Sequence, residues 1–297
     1  MPKSTTIEWP TICLAAFIYG AWSALTFFHA HLPIWLVTPF GSWLIAWHSS
    51  LQHELLHGHP TCWRSANRAI GLVPLSLWLP YDVYRASHLA HHHDETLTDP
   101  LHDPESYYWT PKSWSKIGAV ARLVVWSQTT LIGRLALGPA WNAGRLLARE
   151  LAPARTNARE ALVAWTTHFL GCVAVLIWIL DVCEMSPWFY LFGIVYPGIS
   201  LSLVRSFAEH RAAKVVAERT AIVENAGILG PLFLFNNLHV VHHDHPNLPW
   251  YRIPGWYQKH RETLIAKNGG VVYDGYLDIL RRYLFAPHDG PVHPLAP

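Results

Sequence analysis

Histidine is the residue through which this chain could do chemistry. There are twenty in 297 residues. Eight of them fall in three tight groups: His53 and His57 in His-Glu-Leu-Leu-His, His88, His91 and His92 in His-Leu-Ala-His-His, and His239, His242 and His243 in His-Val-Val-His-His. Positions three and four apart share one face of a helix, so each group turns two or three imidazoles in one direction. Neutral imidazole is the commonest protein ligand for metals and suits zinc, copper, iron and nickel. Eight nitrogens exceed the roughly four to six that one such ion takes, and they match two ions with about four or five each. His210, in Ser206-Phe207-Ala208-Glu209-His210, supplies a ninth candidate. The four cysteines (Cys13, Cys62, Cys172 and Cys183) have no close spacing, which excludes a disulfide scaffold and a cysteine-based zinc module.

The elements that position these groups read as membrane helices. Charged residues make up 14% of the chain, against roughly 25% in an ordinary soluble protein. No Asp, Glu, Lys or Arg occurs in residues 10–28, 32–51, 161–180 or 187–204. Each gap is about the length a helix needs to cross a hydrocarbon core. Residues 70–81 are uncharged but too short to cross and hold Pro74 and Pro80, so they read as a re-entrant or interfacial stretch. Residues 115–137 and 141–151 mix apolar residues with Lys116, Arg122, Arg134, Arg145 and Arg149, the pattern of amphipathic helices on a membrane surface. The links at 28–33 and 181–187 carry no Lys or Arg, whereas 52–160 and 205–297 carry all but Lys3 of the 22. The positive-inside rule then places both termini, the long central segment and all three histidine groups in the cytoplasm. The expected architecture is an all-α, multi-pass membrane protein: one domain over 1–297, four spans, interfacial helices, a cytoplasmic di-metal cap and a loose tail from about 287. A net charge of +2 without a basic, aromatic-interleaved run gives no nucleic-acid surface.

With topology and group order in register, the chain resembles the integral-membrane desaturases and their relatives, the hydroxylases, ketolases and alkane monooxygenases. Its boxes are HELLH, HLAHH and HVVHH, and the likeness runs from about Leu32 to Trp250. The resemblance implies a non-haem di-iron centre that uses O2 to oxidise an unactivated C–H bond. Its ligands would be His53, His57, His88, His91, His92, His239, His242 and His243, with His210 matching an extra histidine that some desaturases place after their fourth span. In some of those enzymes an Asn four residues earlier holds a water; here that position is Ser206. The expected substrate is an acyl chain or similar lipid, gaining a double bond, with hydroxylation or ketolation of a carotenoid or small molecule as the alternative. O2 activation needs two further electrons, and the chain has no CxxC cluster motif or fused haem motif. A separate ferredoxin- or cytochrome-type donor with its reductase is therefore expected.

Two other readings compete. His53-Glu54-Leu55-Leu56-His57 is also HExxH, in which the glutamate of a zinc protease serves as base, but that leaves six box histidines unused. A metal transporter would hold its ligands at bilayer depth, whereas these groups fall at or beyond span ends. Glu54 leaves the helix about 100° from His53, which points to a hydrogen bond on another face or an ion pair with Arg64 or Arg68. The stretch from Asp94 to Glu105 either accepts the outer N–H groups of ligand imidazoles or is a solvated acidic loop. His29, His31, His48, His59, His102, His168, His260, His288 and His293 read as interfacial or solvent-facing, with a functional or paired role as the alternative for the mid-span His168. His93 and His245 adjoin boxes as spare donors.

Overall fold

The computed structural model describes residues 7–151 and 158–296. Its helices are α1 (Trp9–Phe27), α2 (Ile34–Leu56), α3 (Arg64–Gly71), α4 (Tyr81–His91), α5 (Pro111–Lys116), α6 (Ala119–Ser127), α7 (Leu131–Glu150), α8 (Ala158–Val182), α9 (Pro187–Ala208), α10 (Leu229–Leu232), α11 (His239–Asp244), α12 (Ile253–Lys267) and α13 (Gly275–Tyr283). Two short strands, β1 (Ile222–Glu224) and β2 (Val272–Asp274), pair in parallel with Ile222 opposite Val272. The chain divides into two compact units, one of residues up to Arg85 with Pro139–Ser202, the other of Ala86–Gly138 with the residues from Leu203 onward.

Three helices among the described residues, α1, α8 and α9, are long and apolar enough to cross a membrane. Their outward faces carry Phe17, Phe169, Leu170 and Phe192, all exposed, as lipid-facing surface requires. The expected span over 32–51 is helix α2, which has the length but dilutes its apolar residues with His48, Ser49, Ser50 and Gln52. In the first unit α2 packs tightly on α9. A Cβ on Gly198 would lie 2.6 Å from Ile45 Cβ, so only glycine permits this approach. The last turns of α8 (Trp178–Val182) and an early stretch of α9 (Tyr190–Val195) widen into π-helix.

The stretch 72–80 is irregular, as its prolines require, and side chains from the long helices satisfy its carbonyls. The Tyr190 hydroxyl donates to Leu75 O at 2.6 Å and in turn accepts from Trp22 Nε1 at 3.0 Å. Cys172 Sγ lies 3.6 Å from Leu77 O and 3.5 Å from Nε2 of His168, so the mid-span histidine is paired. Four histidines expected at an interface or near solvent are instead buried: His48, His59, His168 and His293. His48 has a polar partner that its apolar sequence context does not announce, the Tyr19 hydroxyl at 3.2 Å.

In the second unit, residues 115–137 are not one amphipathic helix. Thr110 caps α5 through Ser113 N, Gly118 opens α6, and the Ser-Gln-Thr-Thr run at 127–130 turns the chain with hydroxyls bonded to its own carbonyls. The expected 141–151 helix is the latter part of α7. A core of Ile222, Leu238, Val241, Ile253 and Leu264 joins β1, α11 and α12. The tail is not loose. Trp109 N donates to Pro291 O at 2.9 Å, His293 N to Trp109 O at 3.0 Å, and His288 N to Thr129 O at 2.7 Å, so backbone pairing holds it against the unit.

Candidate metal centre

In the first unit, His53 and His57 occupy the final turn of α2, both buried, with ring centroids 5.1 Å apart. The i, i+4 spacing puts them on one face, and Glu54 leaves on another, toward His59 and Glu8. The ion pair expected between Glu54 and Arg68 is not formed; Arg68 makes a bidentate pair with Asp82 instead, at 2.8 and 2.6 Å.

The other seven predicted histidines lie together in the second unit. His88, His91 and His92 come from the last turn of α4 and the residue after it, where His92 N still bonds His88 O. His239, His242 and His243 share α11. Two consecutive residues in the left-handed region, Leu234 (φ 50°) and Phe235 (φ 59°), turn the chain shortly before that helix. His210 follows α9, fixed by its bridge to Thr220.

His91, His210, His239 and His243 present one nitrogen each, all within 4.8 Å of one another. His210 Nε2 is 3.0 Å from both His91 Nε2 and His239 Nε2. Their other nitrogens face acceptors. His91 Nδ1 meets Asp103 Oδ1 at 2.9 Å, His210 Nδ1 meets Arg219 O at 3.3 Å, His239 Nδ1 lies 3.3 Å from Glu209 Oε1, and His243 Nδ1 meets Asp94 Oδ1 at 3.2 Å. A carbonyl or carboxylate oxygen only accepts, so His91, His210 and His243 carry a ring hydrogen on Nδ1, which leaves Nε2 of the neutral His210 and His243 its lone pair; His239 Nδ1 lies beside Glu209 without a hydrogen bond. The buried His243 Nε2 has no hydrogen-bond partner among the described residues, and the one lone pair of His210 Nε2 lies 3.0 Å from two other ring nitrogens. The donor set fits a nitrogen-ligated metal ion, with acceptors holding Nδ1 of three of the four rings.

A second cluster in the same unit contains His92, whose Nε2 is 3.0 Å from both His88 Nε2 and His242 Nε2. His92 also stacks on His243, with centroids 4.4 Å apart. His88 Nδ1 is backed by Glu105 at 3.1 Å. The acidic stretch after box two thus backs three imidazoles, through Asp94, Asp103 and Glu105. Glu209 was not signalled by any spacing; only its place beside His210 marks it. His93 is exposed, and His245 packs against Trp256.

Burial holds His88, His210, His239 and His243 below the ordinary histidine range, which keeps them neutral and able to ligate. Burial also opposes a charge on His91, but Glu105, Asp103 and Glu209 outweigh it and raise that histidine to about 9. Burial pushes Glu209 up to about 7 against the pull of Arg205.

No curated protein was found to match the chain. The family model for fatty acid desaturase matches residues 26–275, most of the chain, and the protein belongs to the fatty acid desaturase family.

Proposed function

We propose that this protein is an O2-dependent di-iron oxidoreductase that introduces a double bond into a membrane-borne acyl chain. The observation that carries the reading is the set of four imidazoles at 91, 210, 239 and 243, one nitrogen of each within 4.8 Å of the others and Nδ1 of three of them hydrogen-bonded to an acceptor. In this reading those four hold one iron, and His88, His92 and His242 serve the other. The bound irons supply the oxidising power toward a C–H bond that no side chain possesses. The chain's own residues do the rest: Asp94, Asp103, Glu105 and Glu209 orient the rings, and the long helices offer a lipid-facing surface from which an acyl substrate enters. We assign α2 as a fourth span, with both termini and the boxes on the cytoplasmic side, where a separate ferredoxin- or cytochrome-type protein delivers electrons.

The test is mass spectrometry of lipids from cells with and without the gene, beside metal analysis of the purified protein. A product two hydrogens lighter, with iron bound, supports the reading. A product one oxygen heavier transfers it to hydroxylation, and zinc in place of iron reopens the HExxH protease.

A further inference from the structure

The first unit holds another group of donors that shares no histidine with the boxes. Glu8 precedes α1, Glu54 lies in the last turn of α2, and His59 follows that helix by three residues. One ligand-type atom from each lies within 4.8 Å of the others. All three are buried, at 9%, 5% and 4% exposure. His59 Nδ1 is 2.8 and 2.9 Å from the two Glu8 oxygens and 3.9 Å from Glu54 Oε1. The backbone fixes the arrangement, since Glu8 N donates to Pro60 O at 3.0 Å.

Two carboxylates brought this close and out of water repel each other, and burial removes the solvent that would screen them. The hydrogen on one Nδ1 points at a single acceptor at a time, whereas three carboxylate oxygens surround it. Within the trio, an imidazolium offers one positive charge to two negative ones. A divalent cation offers two, and it accepts donors from several directions at once.

We propose that Glu8, Glu54 and His59 form a third cation site, for a zinc-class divalent ion, separate from the ions of the histidine boxes. One imidazole and two carboxylates are ordinary zinc donors, and three protein ligands leave the fourth tetrahedral position for water. The glutamate of the HExxH string is then a ligand on a different face of α2 from His53 and His57, and not a base acting on their metal. The ion ties the start of α1 to the segment beyond box one.

The test uses the full-length protein, purified and iron-loaded, then given one equivalent of Zn²⁺ and freed of excess. The expected result is one zinc per chain whose X-ray absorption spectrum reports one imidazole and an otherwise oxygen shell. Glu54→Gln and His59→Gln should each weaken zinc binding at least tenfold while iron per chain is unchanged. Failure to retain zinc, a zinc shell of three or more imidazoles, or variants that bind zinc as before would overturn the proposal. The spectrum of the unmodified protein decides the matter even if a variant misfolds. The iron count reports separately on the boxes, so failure of the third site and failure of the di-iron reading are distinguishable.

Discussion

Two carboxylates back ligands of the same candidate ion from different surroundings, and the surroundings set what each is worth. Asp103 is 2% exposed and 2.9 Å from His91 Nδ1, whereas Asp94 is 55% exposed and 3.2 Å from His243 Nδ1. The attraction between a carboxylate and an ion falls about fourfold as the effective dielectric constant rises from about 20 to about 80. Asparagine also has one acceptor oxygen where Asp103 uses two. Its Oδ1 takes His91 Nδ1 and Glu105 N, and its Oδ2 takes Thr98 N at 2.9 Å. An amide nitrogen at either place would face a donor. Removing the Asp103 charge also loosens the proton that competes for His91. A doubly charged ion nevertheless gains about twice what a proton gains from the same carboxylate, so the balance remains a loss. Outer carboxylates of ligand histidines are typically worth about 10–100-fold in affinity. Asp103→Asn should therefore weaken binding of ferrous iron by about 10–30-fold, roughly 1.4–2 kcal/mol. Asp94→Asn should cost less than about threefold. Anaerobic titration of purified protein against a chromogenic chelator measures both. Equal losses, or a larger loss for Asp94→Asn, would refute the argument from burial.

Tyr190→Phe keeps the ring but strands the Trp22 indole N–H and the Leu75 carbonyl; unfolding in detergent should show a loss of about 1–3 kcal/mol, and an unshifted Tm would count against the role given to that hydroxyl. Gly198→Ala should also destabilise by about 1–3 kcal/mol, because its Cβ meets Ile45. Gly20→Ala, with nothing within 4 Å of the added carbon, serves as the neutral control in the same assay. Metal loading should depend on pH through His91, whose ligating form is the deprotonated one. Since its pKa is raised to about 9, apparent affinity should fall as pH drops below that value, by about tenfold per unit, with one proton released per ion bound. Affinity constant from pH 9 to pH 7 would remove His91 from the ligand set.

The box histidines were legible because metal binding demands a residue type and a spacing, and both are visible in the string. The charge gaps at 161–180 and 187–204 located α8 and α9 to within a few residues, since the hydrocarbon core tolerates little else. Residues 32–51 were harder: absence of charge marks a possible span, but His48, Ser50 and Gln52 are uncharged polar groups that such a count ignores. The partners of the rings were half legible. Asp94, Asp103 and Glu105 stood in an acidic run, yet only tertiary geometry separates an acceptor from a solvated carboxylate. Glu54 was expected to reach Arg64 or Arg68, and it faces His59 and Glu8 instead, because a pairing across some fifty residues leaves no local trace. The pinned tail was likewise invisible. Backbone pairing to Trp109 and Thr129 has no composition, and the side-chain partners of His288, Asp289 and His293 are Tyr273, Tyr108 and Thr98, which nothing in the local string pairs with them.

The second unit gathers Asp94, Asp103, Glu105 and Glu209 around its histidines, with Arg205 as the guanidinium paired to Glu209. Each ion that binds only the folded chain there shifts the balance toward folding, by about 2.7 kcal/mol at a hundred times its dissociation constant. Metal supply is then also a quality-control signal. With iron as the ion, as proposed, the chain in iron-starved cells should spend more time open to proteases, and its abundance should track iron even where transcription and translation stay constant.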